Sequence, residues 1–290
     1  MSQPSAESDD TEKQLSAVPV TRIQKNVLGL GDGPRNDLIV AIGEFVGTFM
    51  FLFFAFAIAQ AANSSTSETD PGKLIMISLG FGFSLATNVF IFFRVSGGQF
   101  NPAVSLALAL VGAISPIRAA ICAVSQIIAG MCAAAVVSAI TPGEILFANS
   151  LGDGVSKSRG LFIEMFMTIQ LCLAVLFLAV EKHRARPMAP LGIGFALFIN
   201  HLVGVYFTGA GMNPARSFGP AVAIPSFPVY HWIYWVGPIM GAIFSAGFYL
   251  TLKFLHKETA NPGQDDDGFN DFIAYLESRK EILDSKIRLD

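Results

Sequence analysis

The sequence has 290 residues, of which 52% are hydrophobic and 14% are charged, and its mean hydropathy is +0.55. A chain this apolar, with so few charges, is atypical of a soluble globular domain. The formal net charge of −3 indicates no particular partner, and no nucleic-acid partner is expected.

Residues 1–37 are rich in Ser, Asp, Gln and Lys and contain no aromatic residue. Such a segment cannot bury enough apolar surface to fold alone, so we predict a disordered cytoplasmic tail. It has no early apolar stretch, which indicates that no cleavable signal peptide is present. Lys and Arg are placed mainly before the first span, after the second, between the fourth and fifth, and in the carboxyl tail. By the positive-inside tendency both termini are predicted to be cytoplasmic, and the plasma membrane is the expected location.

The hydrophobic residues are concentrated in long runs. A helix needs about 20 residues to cross a hydrocarbon layer about 30 Å thick, and six runs are long enough. They predict an all-helical integral membrane protein, with spans at residues 38–62, 73–93, 117–140, 161–180, 188–207 and 230–255.

The first span contains a carboxylate, Glu44. A charge within lipid costs about 2.5 kcal/mol or more on insertion scales, so such a residue almost always faces a bundle interior. We interpret Glu44 as a buried acceptor that braces backbone donors of a neighbouring loop, with a transport role as the alternative. Gly43 and Gly47 are four residues apart, a spacing that permits close helix contact.

The second span runs into a polar segment that ends in Asn101-Pro102-Ala103. Asn is a favoured helix cap and Pro is favoured at the first helical position, so a helix is predicted to begin at this triplet. The apolar stretch that follows, residues 104–112, spans only about 15 Å as a helix. It must therefore enter the membrane and return as a half-helix. Directly before this half-helix, the backbone carbonyls of three residues are predicted to turn toward a cavity. These residues are Gly97, Gly98 and Gln99.

The third span carries Gln126, which we interpret as a buried hydrogen-bonding residue. The fourth span then repeats the pattern of the first, because Glu164 stands four residues before a threonine, as Glu44 does. A second triplet, Asn213-Pro214-Ala215, follows Glu164 by 213 − 164 = 49 residues, against 101 − 44 = 57 in the first copy. The chain is thus predicted to contain two repeats, about 38–140 and 160–255, which are inverted because each has three crossings.

Two half-helices entering from opposite faces would bring their amino ends together. Each end carries about half a positive charge, so the pair forms an electrostatic barrier in a pore. If Asn101 and Asn213 cap their own helices, their NH₂ groups can donate to water and prevent a proton relay. Arg216, one turn into the second half-helix, is expected to face water, with a salt bridge to Glu44 or Glu164 as the alternative.

This combination of motifs resembles the major intrinsic protein family, the aquaporins and glycerol facilitators. Within it the sequence looks like an orthodox, water-selective member similar to fungal ones. The resemblance implies six transmembrane helices with two re-entrant half-helices, a homotetramer with one pore per subunit, water as permeant, and no cofactor, metal or enzymatic activity. The motifs that carry it also include, before the second triplet, the residues Gly209, Ala210, Gly211 and Met212.

The resemblance also implies a selectivity filter. It is formed by an aromatic twenty residues before the first Asn, a histidine twelve before the second, a small residue three before it, and the arginine. Glycerol-conducting members lack that histidine and have Asp after the arginine, where this chain has Ser217. The implied filter is too narrow for a three-carbon polyol and consists of Phe81, His201, Ala210 and Arg216.

Two other functions remain open from the sequence. One is a facilitator of glycerol or another small neutral solute, and the other is a structural or junctional membrane protein with little transport.

Three residues are candidates for gating. Ser96 lies two residues after Arg94 in a weak phosphorylation-like setting, although an ordinary loop serine is the alternative. In the amino tail Leu28 and Leu30 are candidates for occluding the cytoplasmic mouth, since some fungal members close it in this way. Residues 256–290 form a second cytoplasmic tail, in which the spacing of apolar residues predicts a short amphipathic helix.

Overall fold

The computed structural model describes residues 31–64, 70–183 and 185–261, together with Glu277 and Arg279. The candidate gating residues Leu28 and Leu30 and most of the predicted C-terminal helix lie outside these residues.

Within the described residues the fold contains six long α-helices and two short ones. The six long helices are the ones apolar and long enough to cross a membrane, which confirms the predicted all-helical membrane fold. The two short helices begin at the prolines of the two triplets and have 9 and 10 residues. The helices are α1 Asp32–Asn63, α2 Pro71–Phe92, α3 Pro102–Leu110, α4 Pro116–Ile140, α5 Lys157–Val175, α6 Ala189–Thr208, α7 Pro214–Ala223 and α8 Ile233–Phe254. A single wider turn, Leu176–Val180, extends α5 to the predicted end of its span.

The first helix begins at Asp32, earlier than the predicted start of span one at residue 38. Residues 32–37 are therefore helical, not part of a disordered tail. These residues are polar, so hydropathy gives no signal for them. A different physical effect favours the helix there, because Asp32 places negative charge at the amino end of the helix dipole. Arg35 also pairs with Asp32 at 2.8 Å across one turn.

The long helices pack closely because small residues stand where they cross. Helix α2 packs on α6, and α4 packs on the half-helix α7. Gly82 of α2 faces Gly194 of α6, and a methyl group added to Gly82 would lie 2.8 Å from the Gly194 carbonyl oxygen. Gly219 of α7 faces Gly130 of α4 in the same way. These contacts are of the small-residue type that membrane helices use to bring backbones together.

Gly47 of α1 leaves room for the ring of Phe100, and a methyl group added there would overlap that ring. Phe100 is fully buried and directly precedes the first triplet. We therefore expect Gly47→Ala to destabilise the protein by about 1–3 kcal/mol, the usual effect of overpacking a core. Thermal unfolding in detergent would measure the change.

The matched control is Gly247→Ala in α8, where an added methyl group meets no atom within 4 Å. It should raise stability by roughly 0.5–1 kcal/mol, because Ala favours a helix over Gly. A Gly47→Ala protein as stable as the wild type would show that the Phe100 ring moves aside at no cost.

Candidate functional site

Two asparagines cap the half-helices. The side-chain oxygen of Asn101 accepts a hydrogen bond from the backbone N–H of Ala103 at 2.9 Å. That of Asn213 accepts from Ala215 at 3.0 Å and Arg216 at 3.3 Å. Both asparagines have extended backbone, and the prolines that follow them occupy the first helical position. Each triplet therefore starts its helix through purely local chemistry.

The same asparagines also join the two halves of the molecule. The amide nitrogen of Asn101 donates to the carbonyl oxygen of Met212 at 2.9 Å, and that of Asn213 donates to Phe100 at 2.8 Å. The amino ends of α3 and α7 thus meet. The second hydrogen of each amide is bonded to no described residue, and both asparagines line a lumen. Sequence reasoning expected free NH₂ groups and missed this reciprocal exchange of bonds.

Two buried glutamates hold the loops that lead into the half-helices. Glu44 of α1 and Glu164 of α5 are both fully buried. Each carboxylate accepts two backbone N–H bonds from the loop before one half-helix, which stabilises an irregular backbone inside an apolar bundle. The donors are Gln99 at 3.1 Å and Phe100 at 2.8 Å for Glu44, and Gly211 at 2.8 Å and Met212 at 2.5 Å for Glu164.

A hydroxyl in each loop completes this arrangement. Ser96 donates to Glu44 and Thr208 donates to Glu164, both at 2.6 Å. Ser96 is only 8% exposed, so its hydroxyl is enclosed and already in use. The structure thus supports the ordinary loop serine over a phosphorylation gate. Sequence reasoning missed Thr208, although it stands 208 − 96 = 112 residues after Ser96, the distance that separates the two triplets.

The two halves differ in the residues that support these loops. In the first half Gln126 is fully buried and donates to Glu44 at 2.8 Å. In the second half a tyrosine has the supporting role, since the Tyr234 hydroxyl donates to the carbonyl of Thr208 at 2.7 Å. The repeat therefore preserves the glutamate and the triplet but not every residue that supports them.

Each loop contains three residues with positive φ, at positions related by the same 112-residue offset. Residues other than glycine rarely adopt a positive φ, so the backbone at Phe100, Ala210 and Met212 is strained and is held by its buried surroundings. The φ angles are +101°, +64° and +51° for Gly97, Gly98 and Phe100, and +73°, +53° and +54° for Gly209, Ala210 and Met212.

The residues predicted to line the pore through their backbone divide into two groups. Gly98, Gln99 and Gly211 line the lumen, and Gly209 lines the vestibule next to it. Gly97 and Met212 lie outside the lining. The carbonyl of Met212 accepts the hydrogen bond from Asn101.

Phe81 and His201 narrow the lumen together. Their rings stack with centroids 4.1 Å apart and an interplanar angle of 25°. The Nδ1 atom of His201 lies 2.9 Å from the carbonyl oxygen of Leu197, to which it donates in the neutral ring. Its Nε2 atom is buried and has no hydrogen-bond partner among the described residues.

Arg216 is anchored by carbonyl groups. Its Nη1 donates to the carbonyl oxygen of Phe147 at 2.9 Å, and its Nη2 donates to that of Gly209 at 3.2 Å. The guanidinium carbon also lies 5.1 Å from the ring centroid of Phe81, a cation–π geometry. Among the described residues no carboxylate lies within 4 Å of it, so the alternative of a salt bridge is not found.

Ala210 differs from the other predicted filter residues. Phe81, His201 and Arg216 line the lumen, whereas Ala210 is fully buried beside it. Its backbone N–H bonds to the hydroxyl of Thr208 at 3.2 Å. The small side chain thus leaves space at this position without facing the lumen.

The lumen is narrow and mostly apolar. The space open to the centres of water-sized spheres is about 20 Å³. One water needs roughly 10–15 Å³ of such space, so this part of the lumen holds about one or two molecules of that size. Arg216 also lines a vestibule of about 390 Å³, together with Asn63, Lys73 and Tyr206. The apolar wall of the lumen is formed by Phe51, Leu85, Val104, Leu171, Val175, Ile193 and Leu197.

Comparisons with known proteins give consistent matches. The model of the family described as Major intrinsic protein matches residues 36–249. The chain is 50% identical over 245 residues to Aquaporin-1 of Gibberella zeae, a match that covers 82% of this chain and 77% of that protein. It is 52% identical over 239 residues to Aquaporin-8 of Botryotinia fuckeliana, covering 80% and 74%. Its fold is similar to that of the aquaglyceroporin from Plasmodium falciparum, with a TM-score of 0.66, 19% identity and coverage of 73% and 95%.

Proposed function

The chain belongs to the major intrinsic protein family of membrane channels, which are not enzymes, and we propose that it conducts single-file water while excluding glycerol, protons and ions. The observation that carries this proposal is the stack of Phe81 on His201 beside the anchored Arg216 in a lumen of about 20 Å³.

Size and hydrogen bonding together favour water over glycerol. The Phe81 and His201 rings are both bulky and both fixed, so the lumen cannot widen there without breaking their stack. At the same level the guanidinium of Arg216 lines the lumen and offers hydrogen-bond donors to a water molecule. A three-carbon polyol needs more width and would have to pass the same two rings. The fixed charge of Arg216 also repels cations.

Protons are excluded by a different part of the channel. The amino ends of α3 and α7 place two partial positive charges at one level of the lumen. A water molecule there accepts hydrogen bonds from the free amide hydrogens of Asn101 and Asn213. Its own hydrogens then point away along the lumen, which interrupts the chain of hydrogen bonds that a proton relay needs.

A comparison of two permeants tests the proposal. Purified protein in proteoliposomes should show water permeability well above that of empty liposomes in stopped-flow light scattering. Its glycerol permeability should match that of empty liposomes. Glycerol flux comparable to water flux would overturn the narrow-filter proposal, and water flux no higher than in empty liposomes would favour a structural role.

Orientation, location and assembly belong to the same proposal. The placement of Lys and Arg supports a cytoplasmic position for both termini and an outer position for the Arg216 vestibule, and the plasma membrane is the proposed location. Large apolar side chains on the helix surfaces, such as Phe83 and Phe90 at 53% and 52% exposure, are suited to lipid or subunit contact. A homotetramer with one pore per subunit is expected, and native mass spectrometry in lipid would measure its mass.

A further inference from the structure

Phe56 of α1 lies against several of the groups that hold the filter arginine. Its ring stacks on that of Phe147, with centroids 4.7 Å apart and an interplanar angle of 17°. It also meets the ring of Phe81 edge to face, with centroids 6.4 Å apart. The guanidinium carbon of Arg216 lies over the Phe56 ring, 5.5 Å from its centroid. Phe56 thus contacts the arginine, the filter ring beside it and the residue whose carbonyl oxygen accepts its hydrogen bond.

Phe56 has no direct contact with a permeating molecule. It is fully buried, and it is not among the described residues that line the lumen or the vestibule. Any effect of Phe56 on permeation must therefore pass through the residues on which its ring packs.

Aromatic rings are well suited to hold a guanidinium beside a lumen. A buried positive charge needs compensation, and among the described residues no carboxylate lies within 4 Å of Arg216. The face of an aromatic ring carries partial negative charge, but the ring has no net charge. Phe56 and Phe81 can therefore stabilise the guanidinium and leave its positive field acting on the lumen.

The internal repeat gives an independent indication. The two triplets are 112 residues apart, so Arg216 corresponds to residue 216 − 112 = 104, which is Val104. The two glutamates are 164 − 44 = 120 residues apart, so Phe56 corresponds to residue 56 + 120 = 176, which is Leu176. Both counterparts are buried aliphatic residues. Where the repeat replaces the arginine by valine, it also replaces the ring by leucine.

We propose that Phe56 is a positioning residue of the selectivity filter, which holds the Arg216 guanidinium by a cation–π contact and by fixing Phe147. This inference rests on the proposed function of the filter. Without the Phe56 ring the guanidinium keeps its bonds to the carbonyl groups of Phe147 and Gly209 but loses one of its two aromatic contacts. Phe147 loses its stacking partner at the same time. The arginine is then held less firmly, and the filter excludes glycerol less strictly.

A double-mutant cycle separates positioning from packing. Phe56→Leu removes the ring but keeps a large apolar side chain, so glycerol permeability in proteoliposomes should rise about two- to fivefold, the size of one weak cation–π contact. In the Arg216→Val background the same change should add nothing, because the group that the ring holds is gone. Phe56→Tyr keeps the ring face and should exclude glycerol as the wild type does. Phe56→Met, whose flexible chain adapts to irregular space, serves if Phe56→Leu does not fold.

The matched control is Leu176→Ala. Like Phe56→Leu, it removes three carbon atoms from a fully buried side chain, at the corresponding position of the other repeat. Leu176 lies 176 − 157 = 19 residues from the start of α5, which is about 29 Å along the helix. The loop that precedes this start lines the vestibule, so Leu176 is on the other side of the membrane from the filter. The variant should lower thermal stability and leave glycerol excluded.

Two flux results would overturn the proposal. One is unchanged glycerol exclusion in Phe56→Leu channels that conduct water, and the other is an increase of the same size with and without Arg216. Wild-type protein that itself conducts glycerol would instead refute the narrow filter. Thermal unfolding of the same four proteins would then decide about Phe56, because its coupling to Arg216 does not depend on the permeant. Phe56→Leu should lower the unfolding temperature less in the Arg216→Val background, and equal losses would overturn the proposal.

Discussion

Replacing His201 by alanine and Arg216 by valine in one protein is expected to open the channel to glycerol. The double variant removes one ring of the stack and the anchored guanidinium, so the lumen widens at the level where both stand. Rejection of a larger molecule by a single contact is worth roughly 1–3 kcal/mol, so glycerol permeability should rise about tenfold or more. Stopped-flow measurements with a glycerol gradient across proteoliposomes would show it.

A matched double control makes this result specific. The carbonyl groups of Phe147 and Gly209 lose their donor when Arg216 is replaced, but both residues line the water-accessible vestibule. Folding should therefore survive. His256→Ala combined with Arg159→Val changes the same residue types at exposed positions and should leave glycerol excluded. Unchanged glycerol exclusion in a double variant that still conducts water would remove His201 and Arg216 from the filter.

Glu164→Ala is expected to prevent most of the protein from folding. The carboxylate accepts backbone bonds from Gly211 and Met212, and both N–H groups would be buried without a partner. Each orphaned donor costs roughly 1–3 kcal/mol, so the sum of about 2–6 kcal/mol is comparable to the whole stability of many proteins. The peak of folded protein in size-exclusion chromatography and the water flux per milligram of protein should both fall sharply.

Glu164→Gln should have an intermediate effect. Its remaining oxygen can still accept from Thr208 and Gly211, whereas the new NH₂ group faces the N–H of Met212. The control is Glu144→Ala, at an exposed loop position. Folded and conducting Glu164→Ala protein would mean that water enters and replaces the carboxylate.

The sequence predicts the parts of the fold and site that depend on side chains with a local helix-starting role or with a high cost of burial in an apolar span. The triplets are recognisable because Asn and Pro start helices, and Glu44 is recognisable because a carboxylate within an apolar span needs a reason. Phe147 is not recognisable in this way, since it holds Arg216 through a backbone carbonyl that any residue would supply. The same holds for the bonds between the halves, where the acceptors are the carbonyls of Phe100 and Met212.

The internal repeat predicts the order of spans, glutamates and triplets along the chain. It does not predict the residues that support the loops before the half-helices, because these contacts have diverged between the halves. Gln126 supports the first loop and Tyr234 the second, and these residues share neither type nor position in the repeat. The start of α1 at Asp32 escaped prediction for another reason, since hydropathy detects lipid contact and not helix formation by polar residues.

The reciprocal bonds of Asn101 and Asn213 have a consequence for biosynthesis. The second asparagine is made 213 − 101 = 112 residues after the first, which takes about 6 to 22 s at ~5–20 residues per second. During that interval the amide of Asn101 and the carbonyl of Phe100 have no partners from the second half of the chain. A ribosome-bound chain that stops before α7 thus carries unpaired backbone and amide groups at the level where lipid tolerates them least. The first half-helix therefore reaches its final hydrogen bonds only after the chain up to Asn213 has been inserted.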